Sequence, residues 1–255
     1  MRIPRIHTCQ PLEADQDIIL TGSAANHAGK VLRMRPGDLL TLFNGEGHSW
    51  QAEITRVNKT QVHVKLLKQL PDDNESPLRI ELGQGLSRGE RADYAIQKAT
   101  ELGVTDITLL FSERCEVRLN REHQERRLNH WQQIAISACE QCGRNRVPGI
   151  HTPTSLETWL GNRQTDLDLV LHHRAEKQLR GFERPQSVSL LIGPEGGLTA
   201  AEIEQARKRG FHPLALGPRV MRTETAPVAA AAVLQYLWGD WSQEISHSTI
   251  FPNER

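Results

Sequence analysis

Towards the C-terminus, two apolar runs each end in a Gly-Pro turn. Val188, Leu190, Leu191 and Ile192 lead into Gly193-Pro194-Glu195-Gly196-Gly197, and Leu214-Ala215-Leu216 leads into Gly217-Pro218. Between them, Thr199-Ala200-Ala201-Glu202 is a Thr-x-x-Glu capping box that opens a helix, and Gly210 closes it. After the second turn comes Arg219-Val220-Met221-Arg222-Thr223-Glu224-Thr225-Ala226, then an Ala-rich helix running to Gly239. Strand, glycine turn and helix in succession are the grammar of an α/β sheet, whose ligands sit at the carboxyl ends of the strands. The stretch therefore reads as a site. The competing reading is two tight turns beside a packed helix.

The turn chemistry narrows the ligand. No Gly-Lys-Ser/Thr follows the glycines, so this is not a P-loop. Gly193-x-x-Gly196-Gly197 has the wrong spacing for a dinucleotide fingerprint, and Pro194 lacks the backbone donor that a pyrophosphate would use. Glycines with few donors suit a ligand held by close backbone approach.

With 255 residues the chain allows one large domain or two small ones. Its 31 lysines and arginines balance 31 aspartates and glutamates, so any basic surface must be local. No apolar run approaches the roughly 20 residues of a membrane span, and Met1-Arg2-Ile3-Pro4 lacks a signal-peptide apolar region. The reading is a soluble cytoplasmic protein with no membrane contact. Among Cys9, Cys115, Cys139 and Cys142 only the last two form a C-x-x-C pair, without the second pair that zinc would want. No metal is expected.

Residues 1–72 read as a small β-rich domain. Ala24–Leu32 is a short helix capped by Ser23, Leu39–Phe43 a strand, Asn44-Gly45 a hairpin turn, and Trp50–Val57 and Gln61–Leu66 further strands. A compact barrel of this size is a common RNA-binding module. Arg2, Arg5, Lys30, Arg33 and Arg35 cluster at its start and around the helix, as an RNA contact or as a solvated helix face. Pro71–Pro77 is the linker. From Leu78 strands alternate with helices: Leu78–Gly83 a strand, Ala92–Leu102 a helix stopped by Gly103, Asp106–Phe111 a strand, and Glu122–Gln141 a long helix. Leu167–Leu171 is a strand ending in His172-His173-Arg174, and the polar tail after Trp241 reads as frayed. This is a mostly parallel α/β domain spanning 73–255.

The Ile192–Gly197 and Leu216–Ala226 segments together resemble the paired signatures of the SPOUT methyltransferases. They are most similar to the RsmE branch, which methylates N3 of a uridine in small-subunit (16S) ribosomal RNA, and the resemblance runs from Met1 to Asp240. It implies a PUA-like N-terminal domain, a C-terminal deep trefoil knot whose loops grip S-adenosylmethionine, a homodimer, and ribosomal RNA or the small ribosomal subunit as partner. By the same resemblance the cofactor residues are Leu171, His172, Gly193, Pro194, Glu195, Gly196, Gly197, Leu216, Gly217, Met221, Arg222, Thr223, Glu224, Thr225 and Ala226. For His172 a hydrogen-bonded core histidine is the alternative.

Methyl transfer to a uridine nitrogen requires loss of the N3 proton. Arg222 can stabilise the oxygen on which charge develops, and Glu224 can take the proton or orient the cofactor. An internal Arg222–Glu224 ion pair that only shapes the loop is the other possibility. Arg88, in Ser87–Arg91, and Arg144 and Arg146, in Cys142–Arg146, match family segments and are suited to phosphate contact, or else form surface ion pairs. The final helix, Thr225–Trp238, is apolar almost all round and so must be covered on more than one face. That points to a two-fold partner, with Arg88 and Arg144 lent across the seam; the alternative is a helix buried wholly within one subunit. A non-catalytic RNA-binding protein is the rival reading. A nucleotide hydrolase or kinase is disfavoured by the missing phosphate-binding lysine and metal-carboxylate cluster.

Overall fold

The structure is a computed structural model describing residues 3–71, 74–117, 120–173, 175 and 179–242. The chain divides into two compact units. The first comprises the residues up to Glu75 together with Ile136–Val147; the second comprises Ser76–Ala135 and the described chain from Pro148 onward.

In the first unit, β1 (Arg5–His7), β2 (Asp17–Leu20), β3 (Leu39–Phe43), β4 (Ser49–Val57) and β5 (Val62–Leu70) form one sheet in the order β1-β3-β4-β5-β2. Only β1 and β3 pair in parallel. Two register shifts between β4 and β5 bend the sheet over its core. Along β5, Val62, Val64 and Leu66 point into that core with Ile6, Ile18, Leu40 and Ile54, while Lys65 faces solvent. The hairpin is longer than Asn44-Gly45 implies. Phe43 pairs with Ser49, and residues 44–48 form a loop in which Gly45 and Gly47 have φ of +86° and +113°. Asn44 binds Glu46 through both its side-chain atoms, which builds a polar side-chain turn in place of a two-residue one. The expected single helix splits into α1 (Gly22–Asn26), preceded by Thr21 rather than Ser23, and a π-helical turn His27–Val31 closed by Leu32 N–H on His27 O.

Residues 136–147, assigned from sequence to the C-terminal domain, count with this unit, to which carboxylates on both sides tie them. Glu75 accepts the Arg144 guanidinium at 3.0 and 3.1 Å and the N–H groups of Asn145 and Arg146. Glu140 accepts the N–H of His7 and faces His27. Burial pushes the Cys139 thiol up to about 12, and it donates weakly to Arg146 O.

The second unit is a six-stranded, fully parallel sheet: β6 (Arg79–Gly85), β7 (Asp106–Phe111), β8 (Gly149–Ser155), β9 (Leu167–Leu171), β10 (Ser187–Ile192) and β11 (His212–Leu214), in the order β11-β9-β10-β6-β7-β8. The central strands are nearly continuous apolar runs, as a sheet covered on both faces requires. Around it lie α2 (Glu90–Glu101), the start of α3 (Arg121–Cys142), α4 (Leu156–Gly161), α5 (Ala200–Lys208) and α6 (Thr225–Trp238). α2 ends at Gly103, whose φ of +78° is the left-handed stop read from the sequence. Trp131 of α3 is buried and donates its indole N–H to Asp93 of α2. α6 buries Ala226, Ala230, Ala231, Leu234 and Trp238, and leaves Val233, Tyr236 and Leu237 exposed. Among the described residues no helix is long and apolar enough to cross a membrane.

Candidate active site

The carboxyl ends of β9, β10 and β11 open onto one cleft of about 420 Å³, within the range of small-molecule sites. Its walls are the segments singled out by sequence. Gly193–Gly197, after β10, forms the first wall. Leu216 and Gly217, after β11, form the second, and Met221–Glu224 with Ala226 the third. Leu171 and His172, at the end of β9, form the fourth, with the His172 N–H on Leu214 O. Thr225 alone of the expected set does not line the cleft. It opens α6 and donates its N–H to Arg222 O.

Backbone conformation explains the glycines. Gly197 and Gly217 have φ of +68° and +95°, and a Cβ on either would meet open space. The backbone is therefore bare where these turns meet the cleft. Gly196 serves differently: a Cβ there would press on Arg114 Cβ at 3.1 Å, and the Arg114 guanidinium donates to Gly196 O at 3.0 Å. Glu195 accepts the Arg88 N–H and the Arg91 guanidinium on one oxygen, at 3.1 and 2.8 Å. Burial alone would raise its carboxyl; hydrogen bonds from its own backbone, Arg91 and Arg88 outweigh that and hold it below its usual value.

Glu224 lies beside Arg91, 3.9 Å from Nε, and not in an ion pair with Arg222. Arg222 makes no side-chain ion pair or hydrogen bond among the described residues, so the loop-shaping alternative does not hold in this structure. Arg91 and Arg114 both line the cleft and went unassigned in the sequence. Their signal was weak: each lies far along the chain from the glycine turns, beside acids that cancel its charge.

The arginines expected on RNA fall into groups. Lys30, Arg33 and Arg35 are exposed in and just after the π-helical turn, with Arg33 at φ +54°. Arg88 is exposed and its guanidinium pairs with Glu116. Arg146 is exposed. Arg5 stacks over Phe43 and donates to Arg144 O and the Asn145 side chain. Arg144 departs from expectation: its side chain is 5% exposed and engages Glu75, so it holds its own unit together and is not presented to solvent. Arg2, like Arg174, lies outside the described residues. Among the described residues no group of three or more His, Cys, Asp or Glu side chains is placed to hold a metal ion.

Comparison with known proteins agrees with this architecture. Residues 74–235 match the RNA methyltransferase domain family, and 20–67 match the RNA methyltransferase PUA domain. The chain is 40% identical to the ribosomal RNA small subunit methyltransferase E of Buchnera aphidicola from Schizaphis graminum, over 94% of this chain and 99% of the relative. It is 32% identical to the Bacillus subtilis protein of the same name, over 90% and 93%. A putative methyltransferase from Legionella pneumophila, solved with bound SAM, superposes with a TM-score of 0.91 at 43% identity, covering 94% of this chain and all of that one. The Neisseria gonorrhoeae ribosomal RNA small subunit methyltransferase E, bound to S-adenosylmethionine, gives 0.88 at 39%, with the same coverage. Parallel sheet, strand-end cleft and PUA module together define an RNA methyltransferase of two-domain type. Within that class the chain belongs to the ribosomal RNA small subunit methyltransferase E family.

Proposed function

We propose that this chain uses S-adenosylmethionine to methylate N3 of a uridine in 16S ribosomal RNA, acting in the cytoplasm on the assembled small subunit as a homodimer. The observation that carries the reading is the convergence of three chain turns on one cleft, with Arg222 and Glu224 on its rim. The cleft fits the cofactor. Bare glycine backbone at Gly197 and Gly217 permits close approach to a flat adenosine, and Leu171, Leu216 and Met221 supply apolar contact. When bound, the cofactor supplies an electrophilic methyl group.

The chain's own part is positioning and charge. Arg222, without an internal partner among the described residues, is available to the uracil oxygen on which charge builds as N3 loses its proton. Glu224, with the Arg91 charge 3.9 Å away, is the carboxylate to which that proton goes. Arg91 and Arg114 on the rim, with Arg88 and Arg146, give the RNA backbone cations to contact. The exposed Val233, Tyr236 and Leu237 on α6 support a two-fold partner over that face. The glycine turns that converge between β10 and α6 support the trefoil knot, and the curled sheet of the first unit supports RNA docking by the PUA-like domain.

Transfer of labelled methyl from S-adenosylmethionine to purified small subunits tests this reading. Wild type is expected to label 16S RNA, and Arg222→Ala to lower turnover by about a hundredfold or more while leaving RNA affinity nearly unchanged. Loss confined to RNA affinity would make Arg222 an anchor.

A further inference from the structure

The last two residues of β6 sit beneath the site without lining it. Gly85 bears the first turn directly: a Cβ there would stand 2.3 Å from Pro194 N and 2.6 Å from Gly193 C. Gln84, 2% exposed, donates from Nε2 to Thr223 Oγ1 at 2.9 Å, and Thr223 Oγ1 donates to Gly193 O at 2.8 Å. The direction of this relay is forced. A carbonyl only accepts and a hydroxyl has one proton, so Thr223 must receive its second bond from the Gln84 amide. That fixes the amide with its nitrogen toward Thr223. Its oxygen is then left buried and without a partner among the described residues. A leucine of similar size would remove that unsatisfied acceptor along with the Nε2 bonds to Thr223 Oγ1 and Gly85 O, so the glutamine carries a buried acceptor that filling the space does not require.

We propose that Gln84 is a positioning residue for methyl transfer. Through Thr223 it pins the loop that carries Arg222 and Glu224 onto the Gly193 turn. Thr223 stands between the two reacting side chains in sequence, so fixing it fixes both backbones. Apart from this relay, the side-chain contacts of Arg222–Glu224 among the described residues reduce to Glu224 beside Arg91 at 3.9 Å, too long to set a geometry. The inference rests on the methyltransferase reading for its kinetic arm only.

The test uses the full chain with Gln84→Leu, Thr223→Val, Thr223→Ser and the Gln84→Leu/Thr223→Val pair. Three readouts are taken: melting temperature, amide hydrogen exchange, and steady-state methyl transfer. Gln84→Leu is expected to melt within a few degrees of wild type, the orphan acceptor relieved roughly offsetting the Nε2 bonds lost. Its exchange at Arg222–Glu224 should rise about tenfold, with the β6 and β10 amides unchanged. Its kcat should fall on the order of tenfold or more, with KM for RNA within about twofold. Thr223→Ser, which keeps the hydroxyl, should keep amide exchange at Arg222–Glu224 at the wild-type rate. The double variant should fall no further than the worse single one. Wild-type exchange and turnover in Gln84→Leu would overturn the proposal, as would single losses that multiply in the double variant. If Gln84→Leu melts early, the Thr223 pair decides, and equal exchange and turnover in Val and Ser overturns the relay. If wild type transfers no methyl to 16S RNA, the functional reading fails, while the exchange data still judge the relay.

Discussion

A methyl group added at Gly85 would collide with the backbone of Gly193 and Pro194, which cannot swing aside as a side chain can. Gly85→Ala is therefore expected to lift the first wall of the cleft and weaken S-adenosylmethionine binding by about a hundredfold in calorimetric titration, with the chain still folded; near-wild-type affinity would contradict the placement. A second effect at this scale concerns pH. The hydrogen bond with Asp106 raises His151 above its ordinary 6.5, and the same bond holds Asp106 below its ordinary 3.8. The raised histidine contributes stability that is full below pH 6.5 and lost as pH climbs through its folded value. The depressed aspartate contributes stability above pH 3.8 that is lost as pH falls through its lower folded value. The pair thus stabilises most between about pH 4 and 6.5, by well under 1 kcal/mol because His151 is half exposed. The melting-temperature gap between wild type and His151→Ala should be widest near pH 5.5 and close toward pH 8. A gap that widens with pH would refute the pairing.

At the scale of elements, α5 shows why some segments are readable. Thr199 and Glu202 exchange both bonds of the capping box, a pattern four residues long and wholly local. Glu202 also accepts the Glu113 N–H at 2.8 Å, tying α5 to the loop that carries Arg114. Glu202→Ala is expected to cost about 2 kcal/mol in denaturant unfolding, more than a cap alone, because it also orphans the Glu113 donor; a loss below about 0.5 kcal/mol would show the tie to be idle. The same locality explains what was legible: β3, β7, β9 and α6 have the bounds their apolar patterns give. β1 and β2 have three and four residues, too few for a period to show, and are strands only because β3 and β5 pair with them. β8, Gly149–Ser155, is a polar edge strand with little apolar signal. Of the site, the glycine turns were legible because their special conformations demand glycine. Arg91, Arg114 and Gln84 were not, because their roles come from contacts distant in sequence.

For the whole molecule, α6 leaves Tyr236 and Leu237 exposed, Tyr236 at 61%, and the proposed homodimer is tested on that face. Leu237→Glu with Tyr236→Glu should convert a homodimer to monomer in sedimentation equilibrium and abolish methyl transfer; a wild-type protein that is monomeric and fully active at micromolar concentration would refute the dimer. The proposed reaction leaves its mark on the RNA. Its most direct measurement is mass-spectrometric mapping of modified nucleosides in 16S ribosomal RNA from cells lacking the protein, complemented with wild type or with Arg222→Ala. One N3-methyluridine is expected to disappear on deletion, to return with wild type, and to stay absent or strongly reduced with Arg222→Ala. An unchanged N3-methyluridine content in the deleted cells would contradict the proposed reaction.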